Sequence, residues 1–463
     1  LRTRPENLDD QTVQVALVRP GPIQAKAVHP YIAHRERLRR HPEFVPPVDH
    51  PLLAEPLRDT LGVVVFQDQV LEVAIALAGF SIGEAEGLRR AMSRKRSEDA
   101  IEAFRARFVA GAAQQGVDVE TANRVYDKLA AFSGFGFPKS HAAAFALLAY
   151  QSAWLRHHYP AEFLCALLNA QPMGFYPPAS LVRDGQRRGV EVRPPDVNLS
   201  DWKCAFEEGA VRIGLAYVAD VGEAKAKDFV AERERRGPFV DVRDLAQRAP
   251  VPLPALEALI AGGACDSFGS PRRALLWELG LVPRSQSVAG SGGEARQLAL
   301  PLAPTVETPA LPEQSPWERM LADYRTTRVS VGVHPLELLR PHLPAGVLSS
   351  RDLCETADGG YVAAAGMVVA RQRPATANGV VFMLLEDEHG QFNLIVPPPV
   401  YDRFRAIVRG ESLLLARGRF ERRGRNQNVL VSRLDTLGPL ARQVSEVEAV
   451  GASLPGAHHF GHR

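Results

Sequence analysis

A chain of 463 residues is too long for one ordinary domain, because ~150 residues per domain suggests about three. Apolar residues at 46% and charged residues at 23% give the balance of a soluble globular protein. No run of about 18 uncharged apolar residues offers a membrane span, and a formal charge of +2 excludes a uniformly basic nucleic-acid binder. Only seven of the 55 basic residues are Lys, a bias that GC-rich coding produces by itself.

Residues 1–10 carry no signal peptide, and the start at Leu1 rather than Met reads as a fragment. Cys165, Cys204, Cys265 and Cys354 lie far apart with no CxxC pair. That argues against a zinc ribbon or a disulfide scaffold and fits a reducing cytoplasm.

Residues 1 to about 171 read as a helical unit. Ser81 and Glu84 form a capping-box pattern that predicts a helix to about Met92. Ser97, followed by Glu98 and Asp99, opens the next, which should stop near Gly116. A third helix is expected from about His141 to His158, with Phe145, Leu148, Ser152 and Leu155 on one side. Pro160 fits the first turn of a fourth, ending near Asn169. Proline-rich stretches at 171–178 and 193–195 mark a change of domain, after which residues 211–281 return to short helices with glycine turns. Residues 285–316 read as a flexible linker. From Tyr361 to Leu437 the pattern is strands, at about 361–371, 380–386, 392–396, 412–420 and 429–434, with a helical stretch at 401–408 after the third. That is the order of an OB barrel.

Five cations without an acid crowd residues 89–96, either as a solvated helix end or as a polyanion site. In Gly134-Phe-Gly-Phe-Pro-Lys-Ser-His141, two glycines and a proline lead into a helix whose N-terminus suits a phosphate; Lys139 and His141 would join it, or simply reach solvent and cap the turn. Residues 218–222, followed by 223–230, have the turn and second helix of a helix-hairpin-helix, which grips duplex backbone through main-chain N–H groups. Asp220 stands in the first glycine place, so this hairpin is either a DNA grip or structural. A companion turn keeps Gly262 and Gly263.

In the strand region, Arg417, Arg419, Arg422 and Arg423 surround Phe420 in a basic hairpin suited to single-stranded nucleic acid. Phe382, Phe392 and Phe420 are candidates for base stacking or for the barrel core. Gln297, Leu298, Leu300 and Leu302 form an apolar peptide in the polar linker, either incidental or a partner's ligand. No acidic cluster set for two metal ions, GxSxG or HExxH is present, and no metal site is expected at His458, His459 and His462. On its residues alone, the chain binds and does not visibly catalyse.

Several blocks together resemble the bacterial C-family DNA polymerases, the alpha subunit of the replicase and its paralogues. They are Val18-Arg-Pro-Gly-Pro-Ile23, Val65-Phe-Gln-Asp-Gln-Val70, Leu77-Ala-Gly-Phe80, residues 88–92 and 134–145, Tyr150-Gln-Ser-Ala-Trp-Leu155 and Leu167-Leu-Asn-Ala-Gln-Pro172. The wording of residues 80–95 and of Gln171-Pro-Met-Gly-Phe-Tyr176 is most similar to the error-prone translesion paralogue, and the early end after Leu437 weighs against the replicative subunit.

The resemblance implies a multidomain α-then-β chain. Its parts are fingers (1–175), a connector (176–210), a tandem helix-hairpin-helix region (211–281), a linker with a clamp-binding-like peptide (282–325), an OB domain (326–440) and a tail (441–463). PHP, palm and thumb domains would lie upstream of Leu1, with the three metal-binding aspartates, so this span has no catalytic residue of its own and should be inactive alone. The implied activity is template-directed nucleotidyl transfer from dNTPs to a primer 3′-OH in translesion synthesis and DNA repair, with Mg²⁺ bound outside the span.

Arg19, Gln67, Arg89, Arg90, Lys95, Lys139 and His141 would contact nucleotide or DNA. Gly222, Gly262 and Gly263 would meet DNA backbone, Arg417, Arg419, Phe420, Arg422 and Arg423 single strands, and Gln297, Leu298, Leu300 and Leu302 the sliding clamp. The implied partners are primer-template DNA, single-stranded template, dNTP, the clamp and an inactive Y-family-like polymerase accessory protein. The implied location is the bacterial cytoplasm, at the nucleoid and off the membrane. A non-enzymatic DNA-binding module and the replicative alpha subunit are the alternatives.

Overall fold

The computed structural model describes residues 3–18, 28–93, 98–131, 137–174, 176–282, 309–374, 377–423, 426–445, 454 and 457–460, the side chains of 28, 29, 92, 93, 98–101, 131, 423 and 458–460 excepted. The chain divides into two compact units, Leu1–Leu155 and Arg156–Arg463.

The first unit is helical. Helix α1 (Leu8–Leu17) starts where the Asn7 side chain accepts the Asp10 N–H at 2.8 Å. Helix α2 (Val28–Arg40) returns Arg35 to Asp10, an ion pair that holds this carboxyl below its usual range. Helices α3 (Gln67–Ala78), α4 (Ile82–Ser93), α5 (Glu98–Gln114) and α6 (Val119–Ala131) follow. The capping box read at Ser81 forms: Ser81 N–H donates to Glu84 Oε2 at 2.8 Å and Glu84 N–H to Ser81 Oγ at 3.3 Å. Leu53, Leu57, Val73, Leu77, Phe80, Leu88, Phe108, Val125, Tyr126 and Leu129 build the core, with the Phe108 ring edge-on to Tyr126 at 5.2 Å. Helix α7 (Lys139–His158) buries Ala142 and Ala146.

In the second unit, α8 (Pro160–Asn169) and α9 (Pro178–Arg187) pack on a small sheet of β1 (Val192–Arg193), β2 (Ala205–Glu207) and β3 (Ala210–Arg212). Proline opens both helices, as expected where a missing N–H costs nothing. Helices α10 (Gly222–Arg236), α11 (Val242–Arg248), α12 (Leu253–Ala261) and α13 (Arg272–Leu281) close around Phe229, Phe239, Leu245, Leu256, Leu259 and Leu275.

Residues 316–327, read from sequence as the end of a linker, form helix α14 (Pro316–Thr327). Pro316 stands at its first turn, and Ser315 and Glu318 make a reciprocal cap that the linker reading overlooked. The rest of 283–308 lies outside the described residues.

After α15 (Pro335–Leu339), β4 (Val347–Leu348) and α16 (Ser350–Glu355) comes a closed five-strand barrel of β5 (Tyr361–Gln372), β6 (Val381–Glu386), β7 (Gln391–Val396), β8 (Leu413–Arg423) and β9 (Asn426–Thr436). Helices α17 (Pro398–Arg403) and α18 (Arg405–Gly410) lie between β7 and β8. The order β5-β6-β7-β9-β8 closes through β5–β8. Only β7–β9 among these pairs is parallel, the OB arrangement that the sequence order predicts.

A register shift between Val368 and Ala370 lets β5 pair with β8 along its first half and with β6 along its second. Alternate side chains point inward to a core that includes Val362, Ala364, Val368, Phe392, Leu414, Ala416, Phe420 and Val431. The opposite face carries Ala365, Met367, Leu413 and Leu415 against Trp317, Leu321 and Leu336, together with Ala441 of α19 (Gly438–Ser445). In the tail, β10 (His458–Phe460) adds a parallel strand to the end of β5.

Candidate nucleic-acid interface

In the helical unit, Lys139, Arg89 and Arg90 are already paired. Lys139 Nζ is 2.6 Å from Asp59 Oδ2, and the Lys139 backbone N–H donates to Asp68 Oδ2 at 2.7 Å. The N-terminus of α7, where a phosphate was expected, thus holds a carboxylate from α3. The hydrogen bond from Lys139 pulls the Asp59 carboxyl below its usual range, and the same bond raises Lys139. Burial raises Glu72 beside them. Together these groups, with Glu55, Arg58 and Gln69, line a polar cavity of about 270 Å³.

Arg89 and Arg90 both bind Glu86, at 2.6 and 2.9 Å, and their hydrogen bonds push its carboxyl down to about 2. Gln67 opens α3, its N–H donating to the Phe137 carbonyl at 3.0 Å. His141 is exposed and stands edge-on between the rings of Phe137 and Phe145, at 4.9 and 4.7 Å. Arg19 and Lys95 lie outside the described residues. A separate cavity of about 930 Å³ has apolar walls (Leu53, Leu57, Val63, Val73) and Asp49 at its rim, bound by Lys128 and Arg124. It contains none of the residues named from sequence.

The two hairpins differ. At the first, Asp220 and Gly222 both have positive φ (62° and 67°), and the space a Cβ at Gly222 would enter is open. No side chain caps α10, so its first N–H groups are left for solvent or a ligand. At the second, the Gly262 N–H goes to Ala258 O (2.8 Å) and the Gly263 N–H to Ile260 O (3.1 Å), so the turn spends its donors internally. A Cβ at Gly262 would lie 2.5 Å from Thr326 Oγ1, and one at Gly263 2.1 Å from an Arg272 nitrogen. Arg272 bridges Asp266 (2.8 Å) and Asp323 (3.0 Å), and burial pushes the Asp323 carboxyl up to about 6. Gly262 thus makes room for the protein's own α14, and Gly263 for Arg272 of α13.

In the barrel, Phe420 and Phe392 are fully buried in the core, so neither ring offers a face to a base. Phe382 is half-exposed on β6. Arg417 is paired with Asp435. Arg422 donates to the carbonyls of Leu353 and Thr356, which fastens β8 to α16 and the residue after it. Arg419 is exposed on β8; the Arg423 side chain and all of Gln297, Leu298, Leu300 and Leu302 lie outside the described residues. Sequence reading missed Asp59 and Asp68, which precede Lys139 by 80 and 71 residues, and the exposed ring of Tyr361. Among the described residues, no group of three or more His, Cys, Asp or Glu side chains is placed to hold a metal ion, and no helix is long and apolar enough to cross a membrane.

A closed OB barrel and a helix-hairpin-helix turn, with a separate helical unit before them, define a modular multidomain architecture. Residues 1–116 match the bacterial DNA polymerase III alpha subunit finger domain and residues 189–275 the helix-hairpin-helix motif. The chain is 43% identical over 453 residues to the error-prone DNA polymerase of Anaeromyxobacter dehalogenans, covering 95% of this chain and 38% of that one. The error-prone DNA polymerases of Corynebacterium efficiens (42% identity, 94% and 39% covered) and Mycobacterium tuberculosis (43% identity, 94% and 39% covered) are similar to it as well. Along these stretches the chain is similar to the bacterial DNA polymerase III alpha-subunit family, and it spans a little over a third of the length of these relatives.

Proposed function

We propose that this chain supplies the fingers, hairpins and barrel of an error-prone DNA-directed DNA polymerase, which adds deoxynucleotides to a primer 3′-OH in translesion synthesis and repair. The observation that carries the reading is the identity to error-prone polymerases along 95% of the chain. Lys139, Arg89 and Arg90 would exchange their carboxylate partners for the triphosphate of an incoming dNTP. That exchange is inexpensive, because exposed ion pairs are worth only ~0.2–1 kcal/mol. Gln67 and His141 stand beside that path, and Arg19 and Lys95 belong to the same stretches of chain. Duplex backbone would meet the uncapped start of α10 at Gly222, while Gly262 and Gly263 shape the second hairpin. The barrel would hold single-stranded template.

Polymerases of this family use a divalent metal, which we assign as Mg²⁺, to activate the primer hydroxyl and offset phosphate charge. The described residues do not fit that ion, and no step here depends on it. The peptide Gln297, Leu298, Leu300 and Leu302 would bind the sliding clamp, and a Y-family-like accessory protein is a further partner. Such a protein would work at the nucleoid. Primer extension by the longer polymerase tests the proposal: Lys139→Glu or Arg90→Glu should raise the nucleotide KM or depress kcat. Parent kinetics in both variants would remove these cations from the nucleotide path.

A further inference from the structure

The outward face of β5 and β8 changes character along its length. Where α14, α15 and α19 cover it, the outward residues are Ala365, Met367, Leu413 and Leu415. The cover ends two residues further along β8 and, past Ala363, four residues further along β5, and the outward residues become Tyr361, Arg417 and Arg419, with Ser432 and Arg433 from β9 beside them. Tyr361 is 69% exposed, which is unfavourable for a large ring unless something receives it.

The ring is also held in place. Its hydroxyl is 2.7 Å from Ser432 Oγ, and Ser432 donates in turn to Arg417 O at 3.1 Å, so the tyrosine is the donor of the first bond. Arg419 lies directly across from Tyr361 in the strand register, and its side chain has no hydrogen-bond or ion-pair partner among the described residues. Arg417 and Arg433 share one carboxylate, Asp435, so three guanidinium groups face one acid; Glu421 comes further along β8.

We infer that Tyr361, Arg419 and Arg433 form a second contact surface for single-stranded nucleic acid, on the barrel wall away from the β6–β7 face that carries Phe382. A fixed exposed ring suits a planar base, and a surplus of guanidinium charge, with Arg419 unpaired among the described residues and Arg433 sharing Asp435 with Arg417, suits the phosphates on either side of it. An acidic peptide would use the arginines and leave the ring idle. Phe382 pairs with Gln372 at the far end of β5 from Tyr361. At ~3.3 Å per residue the two surfaces are up to about 35 Å apart, so one strand could pass over both. The inference rests on the reading of the barrel as a single-strand binder.

The test is fluorescence anisotropy of labelled oligo(dT) with the full 463-residue chain, joined by photocrosslinking with 5-iodouridine. Tyr361→Ala should weaken binding roughly tenfold, and Tyr361→Phe, which keeps the ring, should stay within about threefold of the parent. Arg419→Glu should lower the salt slope by about 0.7, and the crosslink should map to Tyr361. If Phe382→Ala weakens binding while Tyr361→Ala and Arg419→Glu match the parent, the second surface is overturned and the barrel reading stands. If the parent fails to bind oligo(dT) at low salt, both fall. Crosslinking of a polyglutamate probe at this patch, with no competition by oligo(dT), would replace nucleic acid by a protein partner and overturn the inference.

Discussion

Lys139 Nζ lies 2.6 Å from Asp59 Oδ2, so the cation that the local sequence offers to a phosphate is held by a carboxylate 80 residues earlier. Both side chains are about half exposed, which keeps the pair weak and exchangeable. A triphosphate carries more charge than one carboxylate and can displace it.

Removing the competitor should therefore help nucleotide binding. Asp59→Asn in the longer polymerase is expected to lower the nucleotide KM roughly two- to fivefold, the equivalent of an exposed ion pair. Steady-state primer extension reads this directly. A KM unchanged or raised by Asp59→Asn would mean that Asp59 positions Lys139 instead of competing for it.

The second hairpin makes a prediction about stability. Gly263 has φ +83°, and its missing Cβ leaves room for Arg272. Gly263→Ala would add backbone strain and drive Arg272 from its place between Asp266 and Asp323, at a cost of at least ~2 kcal/mol. Gly222→Ala meets the same backbone strain but no neighbouring atom, so it should cost only about 1 kcal/mol. Urea unfolding of the two variants compares them. Equal losses would show that the Arg272 contact contributes little.

Much of this architecture was legible from residue patterns, for local reasons. Ser81 and Glu84 mark a helix start because the cap is made within four residues, and the alternation along β6 and β7 shows because the barrel buries one face of each of these strands. What could not be read depends on distant partners. Asp59 and Asp68 reach Lys139 only after α3 and α7 pack. Phe420 and Arg419 are neighbours in one basic hairpin, and only closure of the barrel decides that the ring goes in and the guanidinium out. Gly262 and Gly263 resemble a DNA-gripping turn until α14 arrives from beyond the linker to face Gly262 and Arg272 of α13 packs over Gly263.

Asp323 gives a pH dependence of definite sign. Its carboxyl rises from 3.8 to about 6 because burial outweighs the attraction of Arg272, which Asp266 shares. A carboxyl whose folded pKa is raised is held more firmly as the acid in the folded state. Its contribution to stability is greatest below pH 3.8 and is lost as pH rises toward 6. The full shift corresponds to an order of ~3 kcal/mol. Hydrogen exchange of α14 amides should therefore show parent losing protection relative to Asp323→Asn between pH 4 and pH 6. A constant difference across that range would place Asp323 near its ordinary pKa.

The junction between α9, α15 and the barrel carries the opposite dependence. His334 is buried, its Nδ1 accepts the Leu336 N–H at 3.1 Å, and its Nε2 stands 3.8 Å from Glu386 Oε1 without a hydrogen-bond partner. Burial, with Arg183, Arg187 and Arg340 nearby, holds the imidazole well below 6.5, so it is neutral in the folded chain. The unfolded chain takes up this proton first, and stability falls as pH drops below about 6.5, by at most ~1.4 kcal/mol per pH unit. Burial raises the Glu386 carboxyl, which then binds its proton more firmly when folded and offsets part of the loss at lower pH. Hydrogen-exchange protection along β6, taken relative to the intrinsic rate at each pH, should fall between pH 6.5 and 5 in the parent and change much less in His334→Gln. Equal loss of protection in both would assign the acid sensitivity to another group.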